Sequence, residues 1–305
     1  QIMYKDFFDH KGPILYIIYY FGYSIGEYLG IWLIDLICNI INVLTIYKIS
    51  RLIIKNKKKA LIVVAICTSF MCEICQENPC TESLSLPFIL ISLYQFTKYT
   101  LNIKKFGYKE SLSTGVCFAV VLLLRPNIAI LWVLYYVYIF IKLLRKKEIK
   151  HLFQVIGFSI IGVIIVFVPI IVYLIKNEAC IDFMNTYLVF NVKYLNNKGS
   201  SLIEVILCFI NYTNYIIPIV VAIYIALFNA KRKIDEKEYE LLKVSFVYFI
   251  ITFYLAIMPQ RIYLHYLMSL LPTLIIPLTL CLKYVQVNDK IDTITANTCN
   301  GPILV

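Results

Sequence analysis

Charge is scarce in this sequence, and negative charge scarcest. Only 15% of its 305 residues are Asp, Glu, Lys or Arg, with 18 acidic against 29 basic. A soluble globular domain carries about a quarter charged residues, and 61% apolar residues with a mean hydropathy of +0.79 present more apolar surface than such a domain can hide. A polytopic membrane class is what remains. Nucleotide loops are missing too: there is no G-x-x-x-x-G-K-[ST] and no G-x-G-x-x-G, which leaves ATP-driven chemistry without a seat, and no H-E-x-x-H zinc helix. The chain starts at Gln1 without an initiator Met, a basic leader or a signal-type apolar core, and it stops at Ile303-Leu304-Val305, which reads as the opening of a strand. The expectation is a piece cut at both ends.

Cysteine, by contrast, is plentiful at ten. Cys38, Cys67, Cys117, Cys208 and Cys281 fall inside apolar runs, where a thiol behaves as a small hydrophobe. Cys72-Glu73-Ile74-Cys75 has C-x-x-C spacing with Cys80 following, so a metal or redox site or a disulfide among the three is conceivable. No second Cys/His pair at ligand spacing accompanies it, which argues against the metal.

The apolar residues come in long runs separated by short basic clusters. Residues 13–26 are apolar and aromatic but short for a ~30 Å core, with tyrosines suited to headgroup depth, and read as an interfacial helix in a first outer loop. Runs at 28–50, 60–75, 84–101, 111–124, 128–144, 152–175, 203–228, 244–258 and 262–282 follow. The fold class is therefore all-α, a transmembrane helical protein with about nine spans. Lysines and arginines crowd every second connection (51–59, 98–109, 145–150, 231–237 and Lys283). By the positive-inside rule these face the cytoplasm, so the alternate connections, residues 1–11 included, lie outside. Basic runs placed between spans also argue against a nucleic-acid partner. The domain reading is 1–27 as an extracytoplasmic segment, 28–285 as the transmembrane domain and 286–305 as the start of a polar tail or soluble domain.

That topology gathers polar residues at one end. Asp6, Asp9, His10, Lys11, Glu77, Glu82, Arg125, Asn127, Arg261 and His265 arrive from four connections. Lys5 and Lys11 also suit plain snorkelling at an interface. Arg125, between Leu124 and Pro126, sits below the membrane surface, where a charge marks a functional site unless it pairs structurally with Glu77 or Glu82. If residues 261–266 are helical, Arg261 and His265 share a face at i, i+4, a geometry suited to an anionic phosphate; His265 could equally be an interfacial anchor. Asp9 and His10 could ligate a divalent metal if a third ligand came from elsewhere.

The run Phe8-Asp9-His10-Lys11-Gly12-Pro13-Ile14-Leu15-Tyr16 resembles the first-loop motif F-[DE]-[HK]-P-P-L of the GT-C membrane glycosyltransferases, the superfamily of bacterial protein mannosyltransferases and aminoarabinose transferases. Thr81-Glu82-Ser83-Leu84-Ser85-Leu86-Pro87-Phe88, Leu124-Arg125-Pro126-Asn127 and Tyr263-Leu264-His265-Tyr266 with Leu271-Pro272 resemble later segments of that group, so the resemblance covers most of 4–275. It implies an inverting glycosyltransferase that moves a sugar from a polyprenyl-phosphate donor to a glycan, lipid or protein acceptor on the extracytoplasmic side. It further implies Asp9, Asp6 and His10 as catalytic groups, Lys11, Arg125, Arg261 and His265 on the donor phosphate, and Glu77, Glu82, Asn127, Tyr263 and Tyr266 around them. The family's principal base would precede Gln1, so residues 1–305 alone are expected to be inactive. Lys11-Gly12 stands where many relatives have a single proline before Pro13. Membrane lipid and the lipid-linked sugar are the expected partners. A transporter or flippase of lipid-linked sugars is the alternative, and a non-catalytic scaffold the third.

Overall fold

The computed structural model describes residues 1–74, 79–196 and 199–284. Glu77, Cys75 and the tail expected at 286–305 lie outside the described residues. Within them the apolar runs are helices, with no strand and a single isolated β-bridge between Met3 and Phe7. In order these are α1 (Pro13–Ile53), α2 (Lys57–Ile74), α3 (Thr81–Thr100), α4 (Tyr108–Leu124), α5 (Ile130–Arg145) and α6 (Ile149–Lys176). Then come α7 (Cys180–Phe183), α8 (Phe190–Asn196), α9 (Leu202–Tyr212), α10 (Ile216–Asn229), α11 (Glu236–Ile257) and α12 (Leu271–Tyr284).

Sequence punctuation explains the breaks. Gly26 and Glu27 leave helical geometry, Glu27 with φ of 51°, and split α1 into arms at 13–25 and 28–53. The arms fold back until a Cβ on Gly30 would stand 1.8 Å from the Gly22 carbonyl oxygen, an approach only glycine permits. The short first arm agrees with the helix expected at 13–26. Pro126 forbids helical geometry to the residue before it, so α4 ends at Leu124 and Arg125 is extended at φ −160°. Pro259 follows the end of α11, and Gln260 turns at φ 52°.

By length and composition, five helical stretches could cross a membrane: Pro13–Ile53, Pro126–Arg145, Ile149–Lys176, Glu236–Ile257 and Leu264–Tyr284. The pair α9 and α10, bent by 89°, makes a sixth if counted as one. This is compatible with membrane association, but the nine spans expected from the sequence are not confirmed. The reason is local. α4 has only 17 residues, α2 opens on Lys57, Lys58 and Lys59, and α3 carries Glu82 and Lys98 and buries Ser83, Ser85, Ser92 and Thr97. On α3 the buried hydroxyls of Ser85 and Thr100 are satisfied within the helix itself, Ser85 donating to the Thr81 carbonyl at 2.5 Å and Thr100 to that of Phe96 at 2.9 Å.

The core forms around α3. The Phe96 ring stacks on Phe106 (centroids 5.3 Å apart) and on Tyr135 (4.6 Å), and Trp132 donates its ring N–H to the Thr114 carbonyl at 3.0 Å. α4 and α6 cross backbone to backbone at Gly115 and Gly162, where added Cβ atoms would meet the Ser159 and Leu112 carbonyl oxygens at 2.2 and 2.4 Å. The basic connections gather at one end of the bundle. There Lys59 Nζ donates to the Leu282 carbonyl at 2.8 Å, Lys142 Nζ to Asn102 at 3.1 Å, and Lys283 pairs with Glu238. The opposite end holds the candidate site.

Candidate functional site

At that end a cavity of about 410 Å³ opens between the N-terminal segment, the α4–α5 corner, the segment around α8 and the start of the 264–270 turn. Its position follows from how each wall is held. Residues 9–11 are clamped through their carbonyls: Tyr4 donates its hydroxyl to the Lys11 carbonyl at 2.8 Å, Tyr16 to that of Asp9 at 3.4 Å, and Asn191 its amide to that of His10 at 2.9 Å. Burial pushes the Tyr4 hydroxyl well above the ordinary phenol range, so it stays a donor. Next to them Gly12 lies so near α4 that a Cβ would fall 1.8 Å from the Leu123 carbonyl oxygen. Gly12→Ala is therefore expected to cost about 1–3 kcal/mol, as overpacking against fixed backbone does, seen as a lowered melting midpoint of the detergent-solubilised protein.

Arg125 is the centre of the opposite wall. Its extended backbone turns the guanidinium onto Glu82, with which it pairs, and its Nε donates to Asn127 Oδ1 at 3.0 Å. Its guanidinium carbon lies 4.3 Å from the centroid of the Tyr266 ring, a cation–π contact. Glu82 is 1% exposed; it also accepts from the Thr81 hydroxyl at 2.7 Å and has His265 Nε2 at 3.6 Å. Tyr263 stacks on the His265 ring with centroids 5.4 Å apart. The structure thus brings together His10, Lys11, Arg125, Asn127, Tyr263, His265 and Tyr266 as cavity lining, with Glu82 behind Arg125 and Asp9 beside His10, Oδ1 3.6 Å from Nδ1.

Two expected members are elsewhere. Asp6 caps the N-terminal turn, accepting from the Ile2 backbone N–H at 2.7 Å, and does not line the cavity. Arg261 does not share a helical face with His265, because residues 261–263 are irregular and the 3₁₀ turn starts only at Leu264. Pro259 and the left-handed Gln260 break the helix that the i, i+4 reading needed. Conversely, Tyr187, Leu188, Asn191 and Val192 form a wall that the sequence reading left out. They come from the stretch 176–201, where a π-helix over Met184–Val189 turns Tyr187 so that its hydroxyl donates to the Leu122 carbonyl at 2.7 Å. Such π-turns recur at functional sites; the available signal was a long polar connection rich in Asn and Tyr. Among the described residues no three His, Cys, Asp or Glu side chains are grouped to hold a metal. Cys72 is an exposed free thiol.

Burial and neighbouring cations outweigh Asp9 at the basic groups of the lining. Burial, then neighbouring Lys11, holds His10 below the ordinary imidazole value of 6.5, and burial together with Arg125 lowers Lys11. The folded state thus binds fewer protons at His10 than the unfolded chain as pH falls through 6.5, so this group makes the fold less stable on acidification. An anion against His10 reverses that preference. Anion binding is expected to take up a proton and tighten as pH falls from neutrality, and to weaken in the alkaline range earlier than an ordinary lysine would dictate. Titrations of phosphate affinity against pH check both, and His10→Gln is expected to flatten the acidic limb.

Fold and cavity together define an all-helical protein, compatible with membrane association, with a basic aromatic pocket at one end of its bundle. The chain belongs to the family described as "Putative competence-induced protein Ccs4 N-terminal domain", which matches residues 1–296. No curated protein and no solved structure matches it. The family match overturns the GT-C resemblance drawn from residues 8–16, 81–88, 124–127 and 263–272. Those motifs are short, and three of the four carry Tyr, Arg or His, residue types that recur where apolar helices end near an interface.

Proposed function

We propose that this chain is the membrane-embedded part of a transferase whose cavity receives the phosphate and sugar of a polyprenyl-phosphate-linked donor. One observation carries the reading: two cations, Lys11 and Arg125, two imidazoles, His10 and His265, and three tyrosines line one cavity, with Asp9 beside His10 at its edge and Glu82 paired to Arg125 behind it. Lys11, Arg125 and the imidazoles offer charged and neutral donors to a phosphate, and tyrosine faces suit a sugar ring. Leu124, Leu188, Val192 and Pro259 supply an apolar side for hydrocarbon. The family's description speaks of induction rather than chemistry, so the reading rests on the cavity.

In this reading Asp9 takes the proton of an acceptor hydroxyl as its oxygen bonds to the anomeric carbon. The bond from that carbon to the phosphate oxygen breaks, and the electron pair leaves with the polyprenyl phosphate. Its growing charge is held by Lys11, Arg125 and His265, and in-line attack inverts the anomeric centre. All nine apolar runs cross the membrane, the enclosed α2, α3 and α4 included. The 13–25 arm lies at the interface, and the cavity faces the extracytoplasmic side, opposite the basic connections.

A transporter of lipid-linked sugars is favoured by one feature, the 89° break between α9 and α10, since broken helices build transport sites. The test is consumption of a polyprenyl-phosphate sugar by the full-length protein in the presence of acceptor membranes. Sugar released onto an acceptor, and lowered by about 10²-fold or more in Asp9→Asn and His265→Ala, is the expected result. Movement of the intact donor between leaflets without consumption would replace the transferase with the transporter.

A further inference from the structure

A second concavity of about 410 Å³ lies on the side of the bundle, in the groove between α4, α5 and α6. Gly115 and Phe118 form its floor, Phe140 of α5 and Leu152, Ile156 and Ile160 of α6 its walls, and Phe140, Ile156 and Ile160 are exposed on the bundle surface. The polar atoms at its base are spent on one another: the Tyr136 hydroxyl bonds Thr114 Oγ1 at 2.8 Å and Ser159 Oγ at 2.7 Å. An occupant therefore meets hydrocarbon. The groove runs from Leu152 to Val163 along α6, about 16 Å at 1.5 Å per residue.

Its lower end abuts the tight α5–α6 turn, which carries Arg145, Lys146, Lys147 and Lys150, all exposed. Lys150 precedes Leu152 by two positions. The turn's one acid, Glu148, is engaged by His151, whose Nδ1 lies 3.1 Å from Glu148 Oε2 while Nε2 bonds the Phe106 carbonyl at 2.9 Å. Among the described residues the four basic side chains form no ion pair. An apolar slot beneath a turn with four basic residues against one acid matches one chemistry, a negatively charged headgroup joined to a hydrocarbon chain.

We infer that this groove and turn bind an anionic phospholipid, the acyl chain in the groove and the phosphate on Lys146, Lys147 and Lys150. The site is at the end of the bundle opposite the proposed donor cavity and stands whether or not that cavity binds a sugar donor. Juxtamembrane lysines contribute through the same attraction that draws basic segments to acidic lipid.

The test is lipid retention by native mass spectrometry, with the full-length protein titrated with phosphatidylglycerol and, separately, with phosphatidylcholine. Phosphatidylglycerol is expected to be retained about tenfold or more over phosphatidylcholine. The triple variant Lys146→Gln, Lys147→Gln, Lys150→Gln, confined to an exposed turn, is expected to lose the preference, since each lysine near acidic lipid adds to the attraction. Ile156→Trp, which fills the slot, is expected to lose both lipids, and soluble glycerol phosphate is expected not to compete. Equal retention of the two lipids by the unaltered protein, a preference that survives the triple variant, or effective competition by glycerol phosphate would overturn the assignment.

Discussion

Glu82→Gln is expected to lower stability by about 3–5 kcal/mol, the loss typical of stripping one partner from a buried ion pair. Glu82 is 1% exposed and the Arg125 side chain 17%, so the charge left behind gains little hydration when its partner is removed, Glu82 least of all. Arg125→Ala is expected to be as damaging from the other side, because it strands the carboxylate with only the Thr81 hydroxyl and His265 nearby. Removing both charges with Glu82→Gln and Arg125→Met is expected to recover most of the loss, since a well-packed neutral pair of similar volume is often as stable as a buried ionic one. Melting midpoints of the four proteins in one detergent give the answer. A single variant that melts with the parent would show that the pair is not what holds the α3 start to the α4–α5 corner.

Lys11→Gln is expected to act in the opposite sense. Lys11 is half-buried, and burial and Arg125 disfavour its ammonium more than nearby Asp9 favours it. Neutralising it relieves that repulsion, so the variant is expected to melt at or slightly above the parent temperature. Binding of a phosphate-bearing ligand is expected to weaken by roughly ten- to a hundredfold, the range set by about 1.5–3 kcal/mol for a hydrogen bond to a charged group. This is the trade expected where a site is held in a strained electrostatic state for a ligand's sake. A variant that loses stability and keeps affinity would assign Lys11 to the fold alone.

Much of the fold was legible because apolar runs and their breakers are local. Gly26 ended the first arm near where the sequence placed it, and Pro126 set both the corner and the extension of Arg125. Five helical stretches meet the length and composition of a span rather than the nine expected, and α3 falls short because it is polar on faces that its neighbours bury. The cavity was legible in the part carried by charge: His10, Lys11, Arg125 and His265 do converge. It failed at Arg261, where helical phase was carried through Pro259 and Gln260, and at Tyr187 and Asn191, whose placement depends on a π-turn that no residue pattern announces. The family resemblance failed for a related reason. Motifs of four to nine interfacial residues describe the environment of a helix end more than descent.

The most direct measurement is a binding titration of the full-length protein with polyprenyl phosphate and with the matching polyprenol, each also run on Lys11→Gln. The cavity as described predicts saturable binding of the phosphate form, with the polyprenol on the order of a hundredfold weaker and Lys11→Gln removing most of the difference. Equal affinity for the two lipids, or a phosphate preference untouched by Lys11→Gln, would contradict it.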